Sequence, residues 1–292
     1  MLNNIFFSSG GFYALYNHLG AIEELHNEYN KKDSKISRDV MYYGVSAGAI
    51  TSILCYLVLE GLITFDKSRE LINFMNVFDI FDFNITTIAI TMLDRLFECC
   101  PPDLHKRISN VIHIGVTTQN GYKQISDFAS NADIYNVILC SCTIAGVSNY
   151  DSQIDGETCI DGVYSFNSGY NLPPDTLIVK LELFSIPLSL TIPPYTTQGF
   201  LVEMGRQKVI DYTNGNRAII NEDGDNIEKF RLRDLFGTNG WLFIHGLTYK
   251  NPIWKKHIEF KTNSKLSDST DLHIGFFDII NYIHYSVLNH RH

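Results

Sequence analysis

The sequence predicts an α/β fold with a mainly parallel sheet, because short apolar strands alternate with helices over much of the chain. Residues 5–7 form an apolar run, which predicts a strand. The apolar side chains after it recur every three or four residues, which predicts a helix. Residues 39–43 are β-branched and aromatic and precede a long apolar segment. Residues 111–117 and 176–184 have the composition of buried strands.

Helical periodicity covers most of the remaining segments. Pro101-Pro102 is expected to end one helix and to begin the next. The first predicted helix follows the glycine loop and has its apolar positions at Leu15, Leu19, Ile22 and Leu25. The others span residues 49–59, 67–77, 88–100, 133–142, 196–212 and 275–288.

The first candidate functional segment is the loop Ser8-Ser9-Gly10-Gly11-Phe12, between the first strand and the first helix. A glycine pair there exposes backbone N–H groups that can bind a phosphate or an oxyanion. The chain lacks the Gly-Lys-Ser/Thr of a P-loop and the full G-x-G-x-x-G of a dinucleotide fold at this point. We therefore expect Gly10, Gly11 and Phe12 to form an oxyanion hole, with a plain tight turn as the alternative.

The second candidate is Gly44-Val45-Ser46-Ala47-Gly48, which joins the second strand to an apolar helix. A serine on such a turn presents its hydroxyl above the helix N-terminus, where N–H groups and the helix dipole favour negative charge. The flanking glycines, Gly44 and Gly48, allow the neighbouring backbone to approach closely. Ser46 is thus the predicted nucleophile.

The third candidate is Asp161, which closes the strand-like segment 154–160 and is followed by Gly162. A carboxylate at a strand end is well placed to act on a serine at the same edge of the sheet. The earlier pair Asp155-Gly156 is expected to be an ordinary β-turn.

In these motifs the chain resembles the patatin-like phospholipases. Ser46 matches the nucleophile of their G-x-S-x-G elbow, and Asp161-Gly162 matches the motif of their catalytic aspartate. Gly10-Gly11 matches the start of their oxyanion loop, and His18-Leu19-Gly20 a His-x-Gly that often follows it. Residues 140–144 look like the Ala-Ser-rich segment that commonly ends a helix beside the site. The similarity covers roughly residues 4–185.

The chain departs from the family pattern at two places. The family loop reads Gly-Gly-Gly-x-Arg/Lys-Gly, and alignment through Gly20 leaves this chain without the third glycine, the basic residue and the last glycine. An alignment that places Ser9 at the first glycine restores the third but adds a residue before Gly20. Val163 replaces the glycine or alanine that usually follows Asp-Gly.

The resemblance implies a three-layer α/β sandwich with helices on both faces of a mainly parallel sheet. It implies one domain over residues 1–292, in which 186–292 are a divergent C-terminal part. It further implies a lipid acyl hydrolase that cleaves phospholipid, lysophospholipid or glyceride esters through a Ser–Asp dyad and an acyl-enzyme, without histidine, metal or organic cofactor.

Two other functions stay open. An α/β-hydrolase would use a Ser-His-Asp triad, with His245, His257 or His273 as the base. The position of Ser46 argues against an α/β-hydrolase, because several strands usually precede the serine elbow in that fold and Ser46 comes too early in the chain for them. A non-catalytic lipid-binding or scaffold protein would keep the same pocket with an altered loop.

Composition limits the partners and the compartment. The net charge of −9 argues against nucleic acid and against electrostatic docking on anionic membranes. The six cysteines lack disulfide or metal spacing, and the N-terminus lacks the pattern of a signal peptide. We expect a cytoplasmic protein that meets lipid interfaces transiently and peripherally. The apolar, proline-punctuated residues 186–195 form either the mouth of an acyl pocket or a packed connector.

Overall fold

The computed structural model describes residues 1–77, 85–144, 148, 152–165, 172–181, 192–193 and 195–216. All of them belong to one compact unit, formed by Met1–Glu182 and Ser189–Ile220. The predicted helix 275–288 and most of the apolar segment 186–195 lie outside the described residues. The single domain over 1–292 therefore stays a prediction.

The predicted strands and helices recur in the described part of the chain, with additions and shifted ends. The strands are β1 (Leu2–Phe7), β2 (Ile36–Val45), β3 (Ile112–Thr118), β4 (Gly121–Ile125), β5 (Gln153–Ile154), β6 (Glu157–Asp161) and β7 (Leu177–Val179). The helices are α1 (Gly11–Tyr29), α2 (Ala47–Leu59), α3 (Phe65–Asn73), α4 (Ile85–Glu98), α5 (Leu104–Ile108), α6 (Asn131–Ser141) and α7 (Tyr195–Thr213). Short 3₁₀ turns cover Phe74–Val77 and Gly162–Ser165.

The strands form a seven-stranded mixed sheet in the order β5-β6-β3-β2-β1-β7, with β4 paired to β3. Strands β7, β1, β2 and β3 run parallel to one another, whereas β4, β5 and β6 are joined by antiparallel pairs. The fold prediction is confirmed: this is a sheet of mostly parallel strands with helices, in a three-layer α/β arrangement.

Strands β2 and β6 follow one another along a single edge of β3. Strand β4 pairs with Ile114 to Thr118 and so occupies the other edge over that length. On the shared edge, Val45 of β2 is the partner of Gly115, and Asp161 of β6 is the partner of Val116. The C-terminal ends of β2 and β6 therefore meet, which brings the residues that follow Val45 close to Asp161.

Helix α2 is the central helix of the unit, because every residue from Ala47 to Leu59 is buried. The apolar helix predicted over residues 49–59 is therefore a helix of the core. Where a helix begins is decided by local capping. The Thr64 side chain accepts a hydrogen bond from the Lys67 N–H, so α3 begins two residues before the apolar periodicity predicts.

Helices α1 and α7 pack at backbone distance. A Cβ on Gly20 would lie 1.8 Å from the Val202 carbonyl oxygen, and one on Gly205 would lie 1.7 Å from that of Asn17. The Asn17 side chain adds a hydrogen bond to the Leu201 carbonyl. Gly20, part of the His-x-Gly match, is thus explained by close packing. The packing also joins α7, which lies beyond the recognised similarity, to the N-terminal helix.

The predicted strands need two corrections, one to a boundary and one for a missing strand. The predicted strand 176–184 is a strand only over Leu177–Val179 within the described residues, since Lys180 and Leu181 already leave the ladder with β1. The antiparallel strand β4 was not predicted, because its mixed polar composition lacks the apolar run of a buried strand.

Within the described part of the chain, none of the helices has both the length and the apolar character that a bilayer span requires.

Candidate active site

Ser46 lies on the turn between β2 and α2, in a backbone conformation that is unusual for a residue with a side chain. Its φ is 56° and its ψ is −124°, and it is the N-cap of α2. Such dihedrals are sparsely populated and are typical of positions where surrounding structure holds strain at a functional site. The side chain is half-buried at the positive end of the helix dipole.

The two glycines of the elbow are required by close backbone contacts. A Cβ on Gly48 would lie 1.9 Å from the carbonyl oxygen of Phe7, at the end of β1. A Cβ on Gly44 would lie 2.2 Å from the Gly48 carbonyl oxygen. A side chain at position 48 would therefore push the elbow away from β1, and one at position 44 would push the end of β2 away from the first turn of α2.

Asp161 ends β6 and is buried, with 3% of its surface exposed. Its backbone N–H donates to the Thr143 carbonyl at 2.8 Å, and its carbonyl accepts from the Thr117 hydroxyl at 2.9 Å. The Val163 N–H donates to carboxyl oxygen Oδ1 at 2.9 Å. These bonds fix both the backbone and the side chain of Asp161 in the site.

The Ser46 side chain lies close enough to the Asp161 carboxyl to lower its pKa. Burial raises the pKa of Asp161 from an ordinary 3.8 to about 7, and the Ser46 side chain and the Val163 N–H lower it in part. A carboxyl group with that pKa is near-balanced between its two forms at neutral pH, which suits a general base. The structure thus brings together the two residues that the sequence singled out from positions 115 residues apart in the chain.

The glycine loop lies at the same edge of the sheet. Phe7 and Gly44 are partners in the β1–β2 ladder, so the loop after β1 adjoins the elbow after β2. Gly10 has φ 142° and Gly11 has φ 55°, and glycine adopts both more readily than any other residue. Helix α1 begins at Gly11, and a helix start leaves backbone N–H groups available to an anion. The Phe12 side chain is buried.

Val163, a departure from the family pattern, has a structural explanation. Its N–H binds the Asp161 carboxyl, and its side chain packs with a buried cluster of Phe6, Tyr43 and Val45. Gly162 is needed because a Cβ there would lie 2.5 Å from the Gly115 carbonyl oxygen. The valine therefore extends the core and leaves the backbone contact to the aspartate intact.

Two described histidines near the sheet are engaged elsewhere. His18 is fully buried, its Nδ1 lies 2.9 Å from the Thr51 hydroxyl, and burial lowers its pKa to about 3. His113 stacks on Tyr43, and burial lowers its pKa as well. The histidines of the alternative triad, His245, His257 and His273, lie outside the described residues.

Sequence reasoning gave no role to Ser141, which contacts the elbow directly. The Ser46 N–H donates to the Ser141 hydroxyl at 2.8 Å, and that hydroxyl donates to the Gly115 carbonyl at 2.7 Å. Its segment was recognised only as one that ends a helix beside the site. A serine at a helix end has many possible partners, so the sequence alone does not identify this one.

A three-layer α/β fold with a serine elbow beside a glycine loop is typical of a class of hydrolases. The comparison with known families identifies the family. A family model described as patatin-like phospholipase matches residues 5–173, which is more than half of the chain. The chain belongs to the patatin-like phospholipase family, whose members are lipid acyl hydrolases. A search among curated proteins found no match.

Proposed function

We propose that this protein hydrolyses carboxylic esters of lipids with Ser46 as nucleophile and Asp161 as general base. One observation carries the proposal: β2 and β6 end side by side on β3, which places Ser46 beside a buried carboxyl group whose pKa is raised to about 7. The surrounding elbow, held in an unusual backbone conformation at the start of α2, supports the same assignment.

The proposed reaction has two steps. The Asp161 carboxylate takes the Ser46 proton as Oγ attacks the ester carbonyl, and the departing alcohol receives that proton from Asp161. Water then attacks the acyl carbonyl and gives a proton to Asp161, the bond from the acyl group to Ser46 Oγ breaks, the fatty acid leaves, and Asp161 returns the proton to Oγ. In both steps the N–H groups of Gly10, Gly11 and Phe12 stabilise the oxyanion, together with the N-terminus of α2.

Covalent labelling tests the nucleophile. We expect a fluorophosphonate to modify the wild-type chain at one site, and peptide mapping to place the adduct on Ser46. An adduct on another residue would refute the assignment. A folded chain that does not react at all would favour the non-catalytic, lipid-binding alternative, for which the altered glycine loop is the specific argument.

Gly11→Val is expected to lower kcat by about 10²–10³, the usual effect of losing one oxyanion donor. Valine resists the φ of 55° that Gly11 adopts, so the N–H groups of the loop would turn away from the oxyanion position. Binding of a non-hydrolysable ether analogue should change much less. The assay is steady-state hydrolysis of a short-chain ester beside equilibrium binding of the analogue.

Gly61→Val is the matched control. Gly61 also has positive φ, 66°, but a Cβ there would meet nothing within 4 Å. The Gly61→Val variant should carry similar backbone strain without a loss of kcat. Undiminished hydrolysis by Gly11→Val would leave Gly10-Gly11 as an ordinary turn.

The pH dependence of activity and of stability should have opposite signs. Since the base must be ionised, kcat/KM should rise with pH through about 7, the raised pKa of Asp161, and then level off. Between pH 3.8 and about 7 the folded state holds a proton that the unfolded state has lost. The contribution of Asp161 to the free energy of unfolding is therefore largest below pH 3.8, and it is lost as the pH rises from 3.8 through about 7. Thermal unfolding and rate measurements across the same pH series check both trends, and a rate that falls through pH 7 would contradict the assigned base.

A further inference from the structure

Ser141 is the last residue of α6, and its hydroxyl joins the Ser46 elbow to strand β3. The side chain is fully buried. It accepts a hydrogen bond from the Ser46 N–H and donates one to the Gly115 carbonyl of β3. Because it is bound on both sides, the hydroxyl has a defined orientation and links the elbow to the sheet.

The Gly115 carbonyl oxygen also meets the other half of the site. Gly162, next to Asp161, approaches this oxygen so closely that an added Cβ would lie 2.5 Å from it. Gly115 pairs with Val45, and its neighbour Val116 pairs with Asp161. One short connection, from the Ser46 N–H through the Ser141 hydroxyl to the Gly115 carbonyl, therefore relates the backbone at Ser46 to the backbone at Asp161.

The conformation of Ser46 needs such a support. Its dihedrals, φ 56° and ψ −124°, are unfavourable for a residue with a Cβ and persist only where surrounding bonds hold them. The N–H of Ser46 is the backbone group nearest to this strain, and its partner is the Ser141 hydroxyl.

We propose that Ser141 is a positioning residue that holds the Ser46 elbow in register with Asp161, an inference that rests on the proposed function. The Ser141→Ala substitution removes the hydroxyl that binds both the Ser46 N–H and the Gly115 carbonyl. The elbow then relaxes toward ordinary dihedrals, and Oγ moves away from the carboxylate. We expect lipid binding to be unaffected, because the Ser141 side chain is fully buried and both of its hydrogen bonds are to the backbone.

The test compares Ser141→Ala with Ser52→Ala. Ser52 is also a fully buried serine, and its hydroxyl donates to the Ala49 carbonyl at 2.8 Å within α2. The measurements are kcat and KM for a short-chain ester, the rate constant of fluorophosphonate labelling, and the melting temperature. Rates are normalised to the fraction of protein that labels at exhaustion, so that loss of folded protein does not count as loss of rate.

We expect Ser141→Ala to lower kcat and the labelling rate constant together by about 10- to 100-fold, since a displacement near 1 Å has effects of this size. KM should stay close to that of the wild type. Ser52→Ala should lower the melting temperature while it keeps both rates. If Ser141→Ala does not fold, Ser141→Cys serves instead, because a thiol is a weak hydrogen-bonding group.

The outcomes separate this inference from the proposed function. If the wild type is labelled and Ser141→Ala is labelled with the same rate constant, the positioning role alone is overturned. The same conclusion applies to Ser141→Cys when Ser141→Ala does not fold. An equal loss of rate in Ser52→Ala overturns it too, since any buried serine would then act alike. A folded wild type that neither labels nor hydrolyses overturns the proposed function, and the role of Ser141 falls with it.

Discussion

Ser46→Ala is expected to abolish ester hydrolysis, with a loss of kcat on the order of 10⁶, as is usual when a serine nucleophile is removed. The substitution removes the one atom that would form the acyl bond. The backbone conformation of the elbow and its bond to Ser141 remain available to alanine at a similar cost. The measurement is turnover of a short-chain ester together with fluorophosphonate labelling.

The fold of the Ser46→Ala variant must be shown to persist. Circular dichroism and thermal unfolding should match the wild type, and Ser52→Ala, a buried serine on the same helix, should still label. Hydrolysis and labelling that survive in Ser46→Ala would mean that another residue is the nucleophile. Cys142 does not suit that role, since burial and the nearby Asp161 raise the pKa of its thiol well above the usual value.

Asp161→Asn is expected to lower kcat by at least a factor on the order of 10⁴, the loss known for the acid of a Ser-His-Asp triad, because Asp161 would itself be the base. The asparagine oxygen can still accept the Val163 N–H, while the amide nitrogen would face the serine and cannot take its proton. The variant should also lose the decrease in stability that the wild type shows as pH rises through about 7, because it has no carboxyl to ionise. Parallel pH series of rate and melting temperature measure both effects.

Histidine variants separate the dyad from a triad. His245→Ala, His257→Ala and His273→Ala should each hydrolyse the ester at near the wild-type rate. A loss in one of them as large as that in Asp161→Asn would favour the Ser-His-Asp alternative. His18→Ala is a poor control, because His18 is buried and bonded to Thr51 of α2, so its loss would destabilise the core.

The parts of the fold that depend on local sequence were predictable. The strand–turn–helix around Ser46 follows from two glycines between an apolar strand and an apolar helix, and Asp155-Gly156 forms the expected turn with φ of 53° and 79°. The placement of Asp161 at a strand end was likewise visible in its own segment. These features need only backbone dihedrals and hydrophobic periodicity.

The features that the sequence did not reveal depend on contacts between distant segments. Strand β6 runs antiparallel and continues the edge of β3 that β2 leaves, a pairing that no local pattern encodes. The bond from Ser46 to Ser141 spans 95 residues and requires α6 to end beside β3. The close contact of Gly20 with α7 likewise joins segments that have no common motif.

Trapping of the acyl-enzyme tests the central claim most directly. The wild-type chain is mixed with a p-nitrophenyl ester, quenched during the first turnover and analysed by intact mass and peptide mapping. The Ser46–Asp161 mechanism predicts a transient mass increase equal to one acyl group, located on Ser46, formed with a burst of p-nitrophenol and absent from Ser46→Ala. Hydrolysis without an acyl adduct, or with the adduct on any other residue, would contradict it.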